Sequence, residues 1–304
     1  MNALVTGATG FIGKNLVRRL VREGIHTTSL VRKTSKDVLI LSGSKIAYAD
    51  LLEKRTLKKP LEGIDTVFHL AGTIGKHSAT KEFYYKANVL ATKNLVEMCR
   101  RKKIIYCSSA GVIGPATNAD ENYPPRPTNE YEKSKKEAEQ IVRQHKDYVI
   151  LRPEFVYGPY DMHVLQLFKA IRDNRFFLIG GGNSLLHPTY VEDVVQAMLK
   201  CVRKKRETYN IAGQKSVTVA EFTELAKKEL GVKTKTRNLP LWLARALLPI
   251  GELTGTLTRT RLDFFTKTRT FDISKARKEL GYKPVKLRQG LKRTIGWYRQ
   301  NGLL

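Results

Sequence analysis

The stretch LVTGATGFIG, residues 4–13, joins a short apolar run to a segment whose apolar residues recur at helical spacing. Gly7, Gly10 and Gly13 lie in it at intervals of three. In a strand–turn–helix unit, the first of three such glycines permits a tight turn and the second lets backbone amides approach a pyrophosphate. The third lets the helix pack closely on the strand. Glycines in a turn can also be purely structural, but their place after the first strand predicts a dinucleotide-binding turn.

Beyond this turn, apolar runs alternate with amphipathic segments through the first half of the chain. The alternation predicts strands over 2–6, 25–31, 45–48, 65–70, 104–108 and 148–151, and helices over 11–23, 81–101 and 130–145. Such alternation is typical of parallel strands joined by crossover helices. We therefore predict an α/β fold with a Rossmann-like, doubly wound parallel sheet.

After residue 155 the rhythm becomes irregular, with proline, glycine and turn signals. A smaller C-terminal α/β lobe packed against the carboxyl ends of the strands accounts for this change, because open α/β sheets bind their ligands there. We predict a dinucleotide-binding domain at 1–155 and a substrate-binding lobe at 156–304. A return of the chain from the second lobe to the first domain stays open.

The composition limits the class of protein and the cellular compartment that the sequence fits. The chain has 304 residues, 41% of them hydrophobic, and its three cysteines lie far apart, at Cys99, Cys107 and Cys201. Their spacing indicates neither a disulfide framework nor a zinc site, and we predict no metal. The first predicted strand leaves no room for a signal peptide, and charges and prolines make 239–257 a poor membrane span. A reduced, cytoplasmic location is the simplest prediction.

The net charge of +27, from 55 basic and 28 acidic residues, is extreme for a folded enzyme. Such a field attracts nucleic acid, anionic lipid surfaces and phosphorylated ligands. The basic residues are spread over both halves of the chain and no nucleic-acid motif is present, so we predict no specific nucleic-acid partner. Solvated lysine faces are one reading of the charge, and peripheral attraction to an anionic membrane surface is another.

The second predicted strand ends in SLVRKTS, residues 29–35. A carboxylate at such a strand end binds the adenosine ribose hydroxyls of NAD, and none is present here. Arg32 and Lys33 stand there instead, and cations suit the additional phosphate of NADP. The sequence therefore favours NADP over NAD, with two ordinary surface cations as the alternative.

The candidate catalytic groups lie in CSSAGVIG (107–114) and NEYEKSKKEAEQ (129–140). Tyr131 and Lys135 are four residues apart on a predicted helix and so share one face. A phenol has a pKa of ~10, so acid–base work near neutrality requires a shift of about 3 units, or roughly 4 kcal/mol. An adjacent ammonium and a cationic nicotinamide favour the phenolate. Ser109, after a predicted strand, is placed to hydrogen-bond the substrate oxygen.

Further segments follow the pattern of one protein family. They are ADLLEKRTL at 49–57, HLAG at 69–72, ANVLATKNL at 87–95, RPEFVYGP at 152–159, HPTYVEDVV at 187–195 and FDISKARKELGYKP at 271–284. With the glycine turn and the Ser–Tyr–Lys set, the chain resembles an extended short-chain dehydrogenase/reductase of the NAD(P)-dependent epimerase/dehydratase group, nearly end to end. The resemblance implies a catalytic triad of Ser109, Tyr131 and Lys135. It also implies a homodimer formed through the helices at 81–101 and 130–145.

The cofactor-binding set combines this resemblance with the two cations of the second strand. The predicted residues are Gly7, Gly10, Phe11, Ile12, Gly13, Arg32, Lys33, Asp50, Leu51, Leu70, Ala71, Gly72, Asn88, Ser108, Tyr131, Lys135, Pro153 and Val156. Within the set, the resemblance assigns an adenine contact to Asp50 and Leu51 and a structural role to Asn88. His69 has no second ligand spaced with it, so we predict a structural role for it too.

Departures from the family pattern narrow the reaction. Sugar-nucleotide dehydratases of the family carry an acidic pair where this chain has Ala110 and Gly111. Many sugar-nucleotide epimerases carry Asn and Arg, as diphosphate-sugar contacts, where this chain has Phe155 and Leu186. The segment 239–276 instead resembles the 3β-hydroxysteroid-dehydrogenase and dihydroflavonol-reductase branch.

An apolar substrate pocket built from Phe155, Leu186 and Trp242 fits these departures. The apolar segment around Trp242 fits a membrane-surface contact or a core-packing helix equally well.

Three functions remain open from the sequence. The first is an NAD(P)-dependent oxidoreductase acting on a secondary alcohol or ketone of an apolar, hydroxysteroid- or dihydroflavonol-like small molecule. The second is a nucleotide-sugar 4-epimerase with retained NAD. The third is a non-catalytic dinucleotide sensor or anion-binding protein, which the charge favours and the complete triad disfavours.

Overall fold

The computed structural model describes residues 1–35, 38–74, 79–254 and 257–304. Its centre is a seven-stranded, fully parallel sheet in the order β12-β7-β5-β4-β1-β2-β3. The strands are β1 (Asn2–Thr6), β2 (His26–Val31), β3 (Lys45–Tyr48), β4 (Thr66–His69), β5 (Lys103–Cys107), β6 (Ala116–Ala119), β7 (Tyr148–Pro153), β8 (Val156–Tyr157), β9 (Phe177–Ile179), β10 (Leu185–Leu186), β11 (Thr189–Tyr190), β12 (Glu207–Ile211), β13 (Val217–Thr218), β14 (Arg237–Leu239) and β15 (Arg269–Phe271).

Helices cover both faces of the sheet and build most of the second half of the chain. They are α1 (Phe11–Arg22), α2 (Lys54–Leu61), α3 (Lys81–Tyr84), α4 (Ala91–Met98), α5 (Glu130–Arg143), α6 (Met162–Arg172), α7 (Val191–Lys200), α8 (Val219–Leu230), α9 (Leu241–Ala246), α10 (Leu248–Thr254), α11 (Arg259–Thr266), α12 (Ser274–Leu280) and α13 (Leu287–Gln300). The helix predicted over 81–101 is interrupted by a π-helical turn, Tyr85–Leu90, between α3 and α4. It ends at Met98, three residues early.

The sheet is buried on both faces because its strands are apolar at successive positions. Val5 and Ile105 face a core that α1, α7 and α12 close, whereas Leu4 and Ile104 face a second core closed by α2, α4 and α5. Adjacent residues of one strand thus point into different cores, as the pleat requires. The predicted α/β, doubly wound parallel sheet is confirmed.

The segment beyond residue 155 contributes to both parts of the molecule. It forms small two-stranded pairings and a third core, between α6, α8 and α13. It also supplies β12, the edge strand beside β7, and α7, which packs with α1 on the central sheet. The division at residue 155 into two domains stays a prediction.

Candidate active site

The glycine turn follows β1, which lies between β4 and β2 where the order of the strands reverses. Ligands of open α/β sheets bind at this reversal. Gly7 has φ +68°, and a Cβ there would lie 2.7 Å from the backbone nitrogen of Ala71. A Cβ on Gly13 would lie 2.1 Å from the Gly7 carbonyl oxygen. Only glycine fits at both positions, so the first turn of α1 stays close to β1 and β4.

The start of α1 has the geometry of a phosphate site. Gly10 occupies the N-cap position without a side chain to cap the helix, and its N–H donates to the Gly7 carbonyl at 2.9 Å. The following amides, from Phe11 and Ile12, belong to the helix end that carries the positive dipole. The backbone from Leu70 to Gly72 runs directly against the turn, since the nearest atoms to a Gly7 Cβ belong to it. These residues fit a pyrophosphate-bearing dinucleotide.

Asn88 holds that facing segment in place from within the π-helical turn. Its Oδ1 accepts from the Thr73 N–H at 2.8 Å, and its Nδ2 donates to the Thr73 carbonyl at 3.1 Å. The same Nδ2 donates to the Ser134 hydroxyl on α5 at 2.9 Å. A Cβ on Gly72 would lie 2.9 Å from the Asn88 Oδ1. Asn88 therefore ties the segment after β4 to the helix that carries Tyr131.

The adenosine end of the predicted site lies along β2 and β3. Arg32 and Lys33 follow β2 with exposed side chains. Asp50 and Leu51 follow β3, half-buried, and the Leu51 carbonyl accepts from the Asn94 Nδ2 at 2.9 Å. Because β2 lies between β1 and β3, the two cations and the Asp50 segment flank the same edge as the glycine turn.

The candidate triad comes from β5 and α5. Asn129 caps α5 by accepting from the Glu132 N–H at 2.9 Å, which sets where the helix starts. Tyr131 and Lys135 then lie one turn apart on the side facing β5. The Ser109 hydroxyl, two residues past the end of β5, lies close enough to the Tyr131 phenol to lower its pKa. The structure thus brings the three predicted catalytic residues to one place.

Burial sets the protonation of the pair on α5. It raises the pKa of Tyr131, chiefly by desolvation, and lowers the pKa of Lys135 to about 8. The Lys135 Nζ donates to the Cys107 carbonyl at 2.7 Å and lies 4.2 Å from the centre of the Tyr106 ring. Without a further positive charge nearby, the phenol keeps its proton. A cationic nicotinamide above it would supply such a charge.

Three other residues of the predicted cofactor-binding set, Ser108, Pro153 and Val156, are buried or half-buried. The Ser108 hydroxyl donates to Glu139 at 2.6 Å, and Glu139 forms a buried ion pair with Arg152 at 2.7 Å. Pro153 ends β7 in a buried position, and Val156 is half-buried in β8. Ser108 therefore serves the ion pair with its side chain, and only its backbone remains for a cofactor.

His69 is held as a neutral, buried group. It is bonded to the Thr6 hydroxyl at 2.7 Å and to the Thr92 hydroxyl at 2.9 Å, and its ring stacks on Tyr106. Burial lowers the pKa of His69 to about 3. Both ring nitrogens are engaged, so the structure gives it a supporting place beneath the site. Within the described residues, no three His, Cys, Asp or Glu side chains are grouped as metal ligands would be.

A buried charged cluster beside Tyr131 escaped the sequence analysis. Arg269, on β15, forms an ion pair with Glu132 at 3.0 Å, with both side chains buried. Glu154, after β7, is buried beside Arg269, and its carboxylate interacts electrostatically with Tyr131. Burial raises the pKa of Glu154 to about 7. The only sequence signal was a glutamate inside RPEFVYGP, next to a buried strand.

The predicted substrate residues differ in how far the fold exposes them. Phe155, with φ +30°, packs its ring 5.4 Å from Phe222 and 5.2 Å from Phe264. Leu186 is 0% exposed, so in this conformation it presents no surface to a ligand. Trp242 is 70% exposed, on the outside of α9. Of the three, Phe155 alone lies in an aromatic cluster directly after the charged residue at the site.

No helix in the part of the chain that the structure describes combines the length and apolar character that a membrane crossing requires.

The chain matches the family described as NAD dependent epimerase/dehydratase over residues 3–212. A curated relative, the 4-hydroxy-2-methyl-3-oxo-4-farnesyl-3,4-dihydroquinoline-1-oxide ketoreductase of Stigmatella aurantiaca, is 31% identical over 93% of this chain and 92% of its own length. The 3beta-hydroxysteroid-dehydrogenase/decarboxylase isoform 1 of Arabidopsis thaliana is 30% identical over 96% of this chain and 78% of its own length.

Solved structures share the fold end to end. The UDP-glucuronic acid 4-epimerase of Bacillus cereus, in complex with UDP-glucuronic acid and NAD, aligns with a TM-score of 0.80 at 26% identity. The alignment covers 99% of this chain and 100% of that one. The matches therefore include, by their names, a ketoreductase, a 3beta-hydroxysteroid dehydrogenase/decarboxylase and a nucleotide-sugar epimerase.

Proposed function

The chain belongs to the NAD dependent epimerase/dehydratase family, as its motifs predict, and on that premise we propose that it is an NAD(P)-dependent oxidoreductase. It acts on a secondary alcohol or ketone of an apolar, hydroxysteroid- or dihydroflavonol-like substrate. The observation that carries the proposal is the juxtaposition of Ser109, Tyr131 and Lys135 with the aromatic cluster around Phe155.

The chain's own residues perform the proton chemistry. Tyr131 donates its phenolic proton to the substrate oxygen in reduction, or accepts the proton in oxidation. Ser109, whose hydroxyl lies near that phenol, holds the same substrate oxygen by a second hydrogen bond. Lys135 keeps the phenolate accessible by its positive charge and reaches the cofactor ribose from the same helix face. The nicotinamide, when bound, supplies or takes up the hydride.

The apolar substrate class rests on the residues that flank the triad. Phe155 and its two ring partners offer aromatic surface where a nucleotide sugar would require polar contacts. A diphosphate deprived of two charge-assisted hydrogen bonds forfeits roughly 1.5–3 kcal/mol for each. The ketoreductase and the 3beta-hydroxysteroid dehydrogenase among the relatives favour the same class by their names.

A nucleotide-sugar 4-epimerase is the second candidate. The solved epimerase with UDP-glucuronic acid and NAD supports it, and so does the net charge of +27, which attracts a diphosphate. The same triad serves either reaction. An epimerase retains its cofactor through turnover, whereas a reductase exchanges it.

Cofactor choice and assembly follow from exposed groups. We propose NADP over NAD, because Arg32 and Lys33 stand exposed where the additional phosphate would lie. We also propose a homodimer through α3, α4 and α5, supported by the exposed aromatic rings of Phe83 and Tyr85 on the first of these helices and its π-helical continuation. Light scattering of the purified protein tests the dimer.

The two enzyme functions are separated by what the protein carries and binds. Mass spectrometry of the purified protein identifies a retained cofactor, and calorimetry with UDP-glucose and UDP-N-acetylglucosamine follows on the cofactor-loaded form. Tightly retained NAD and micromolar binding of either nucleotide sugar would favour the epimerase. Exchangeable NADPH, oxidised in the presence of ketosteroids or dihydroflavonols, supports the reductase.

A further inference from the structure

The helices α9 and α10 carry several large apolar side chains that are exposed to solvent. Five apolar residues occupy positions i, i+4, i+7, i+8 and i+11 on the solvent side, and we call them the outer stripe: Trp242, Ala246, Pro249, Ile250 and Leu253. Trp242 is 70% exposed, Ile250 63% and Leu253 89%. An amphipathic helix of a soluble domain normally turns such a stripe to the core. The exposure excludes core packing for these three side chains, whereas Leu241, Leu243 and Leu248 of the same helices are half-buried.

The buried residues of the same helices have small side chains or none. Ala244 is fully buried, and Gly251 is buried so closely that a Cβ there would lie 2.6 Å from Leu257. Gly251 therefore lies against Leu257, which precedes α11. The buried residues of α9 and α10, Ala244 and Gly251, lie on the side of the helices opposite to Trp242 by helical spacing.

The stretch of chain that carries the outer stripe is rich in positive charge. Between residues 231 and 262 the chain has six basic residues and one acidic residue. The cations are all exposed: Lys233, Lys235, Arg237, Arg245, Arg259 and Arg261. Arg245 lies one position before Ala246, within the width of the stripe. Apolar side chains flanked by cations are the composition that binds the headgroup region of anionic bilayers.

The outer stripe is continuous with the proposed site through α11. The chain runs from α10 into α11, whose Phe264 ring lies 5.2 Å from Phe155. The next ring, Phe265, lies 5.8 Å from Phe176, and its carbonyl accepts from the Ser184 hydroxyl at 2.5 Å. The element that follows the outer stripe along the chain, α11, thus belongs to the aromatic cluster around Phe155.

We propose that the outer stripe is a docking surface for an anionic membrane, into whose headgroup region Trp242, Ile250 and Leu253 insert. The cations around them contact lipid phosphates. The docking itself does not depend on the reaction, but its use in collecting an apolar substrate from the membrane rests on the proposed function. A second copy of the chain is the competing occupant of an exposed apolar face.

The test uses the tryptophans as reporters. Trp297 is half-buried against Tyr160, and its replacement in Trp297→Phe leaves Trp242 as the sole tryptophan. With vesicles of phosphatidylcholine and phosphatidylglycerol, we expect the Trp242 emission to shift to the blue and to be quenched by brominated acyl chains. With phosphatidylcholine alone we expect much weaker binding, and added salt should weaken binding to the anionic vesicles.

A matched pair of leucines gives the control. Leu253→Glu should weaken sedimentation with anionic vesicles by about tenfold. Leu39→Glu makes the same change at a leucine that is 94% exposed on another part of the surface, and we expect it to bind as the unchanged protein does. Equal binding by both variants would show that charge alone attracts the protein and would overturn the docking surface.

Two further outcomes decide the occupant. No binding to anionic vesicles at low salt, or no change in Trp242 emission, overturns the proposal. If the unchanged protein is larger by light scattering than Leu253→Glu and neither binds vesicles, the stripe joins two copies of the chain. All these measurements are made without cofactor or substrate, so an error in the proposed function leaves them unaffected.

Discussion

The glycine turn after β1 and the outer stripe on α9 and α10 use side-chain size in opposite ways. At Gly7 and Gly13 even a methyl group would collide with backbone, because the helix, the turn and the segment after β4 all meet there. On the outer stripe, by contrast, Trp242 is 70% exposed and Leu253 89% exposed. The glycine turn is closely packed by residues of the chain itself, whereas the outer stripe exposes apolar surface to which another molecule can bind.

The largest expected effect comes from filling the glycine turn. Gly13→Ala places a Cβ 2.1 Å from the Gly7 carbonyl oxygen, and we expect it to lower the free energy of unfolding by about 3 kcal/mol. Urea unfolding measures this.

The matched control is another helical glycine. Gly296, in α13, has nothing within 4 Å of an added Cβ. Gly296→Ala should therefore stabilise the protein by roughly 0.5–1 kcal/mol, from helix propensity alone. Equal effects of the two variants would contradict the close approach at the turn.

The next expected effect concerns the buried charged cluster of Glu132, Glu154 and Arg269, which, like the glycine turn, lies inside the protein. Burial raises the pKa of Glu154 from 4.5 to about 7, so the folded protein holds a proton that the unfolded chain has released. The stabilisation from this proton is full below the unfolded pKa and is lost as the pH rises through about 7. The loss amounts to about 3 kcal/mol for such a shift.

The neutral variant Glu154→Gln should lack this loss. Between pH of about 5 and about 8, its unfolding free energy should fall by about 3 kcal/mol less than that of the unchanged protein. Asp193, whose pKa burial also raises to about 7, titrates in both proteins and cancels in the difference. Parallel pH profiles would mean that Glu154 is solvated. Arg269 keeps its partner Glu132 in the variant.

Tyr131→Phe separates the effect on the chemical step from the effect on cofactor binding. We expect turnover to fall by roughly a hundredfold or more with cofactor affinity nearly unchanged, since the phenol moves a proton and does not hold the dinucleotide. Tyr84→Phe removes the hydroxyl of a neighbouring ring, 6.3 Å away, and should leave turnover unchanged. Full activity of Tyr131→Phe on an identified substrate would remove Tyr131 from the mechanism.

The smallest expected effect tests whether Arg32 and the cations near the outer stripe bind different partners. Arg32→Asp should weaken NADP binding by about tenfold and should not weaken NAD binding, because only NADP carries a phosphate near that strand end and a carboxylate there suits the ribose hydroxyls of NAD. Fluorescence titration with both cofactors measures the two affinities, with Arg245→Asp, beside the outer stripe, as the charge-matched control. If the unchanged protein already binds NAD more tightly, the electrostatic argument fails.

Local patterns carried the fold and part of the site. Glycine spacing, strand alternation and the four-residue interval between Tyr131 and Lys135 are all repeats of backbone geometry, so a short window of sequence contains them. The helix over 81–101 shows the limit of such windows. Its π-helical turn places Asn88 against Thr73 and Ser134, and those partners belong to other segments.

These patterns did not predict which individual apolar residues the fold buries. Leu186 and Trp242 were predicted to share one pocket, yet the fold buries the first completely and exposes the second. A hydrophobic residue has the same transfer free energy in either place, and the neighbours that cover it come from distant segments.

The sequence by itself predicted the parallel sheet and the turn for a dinucleotide, because glycine spacing and the alternation of strands and helices are local repeats of backbone geometry. Only the tertiary structure joined Glu132, Glu154 and Arg269 beside Tyr131, and only it turned the outer stripe away from the core. Arg269 lies more than a hundred residues from Glu132 and Glu154 in the chain, so the close packing of distant segments decides that cluster.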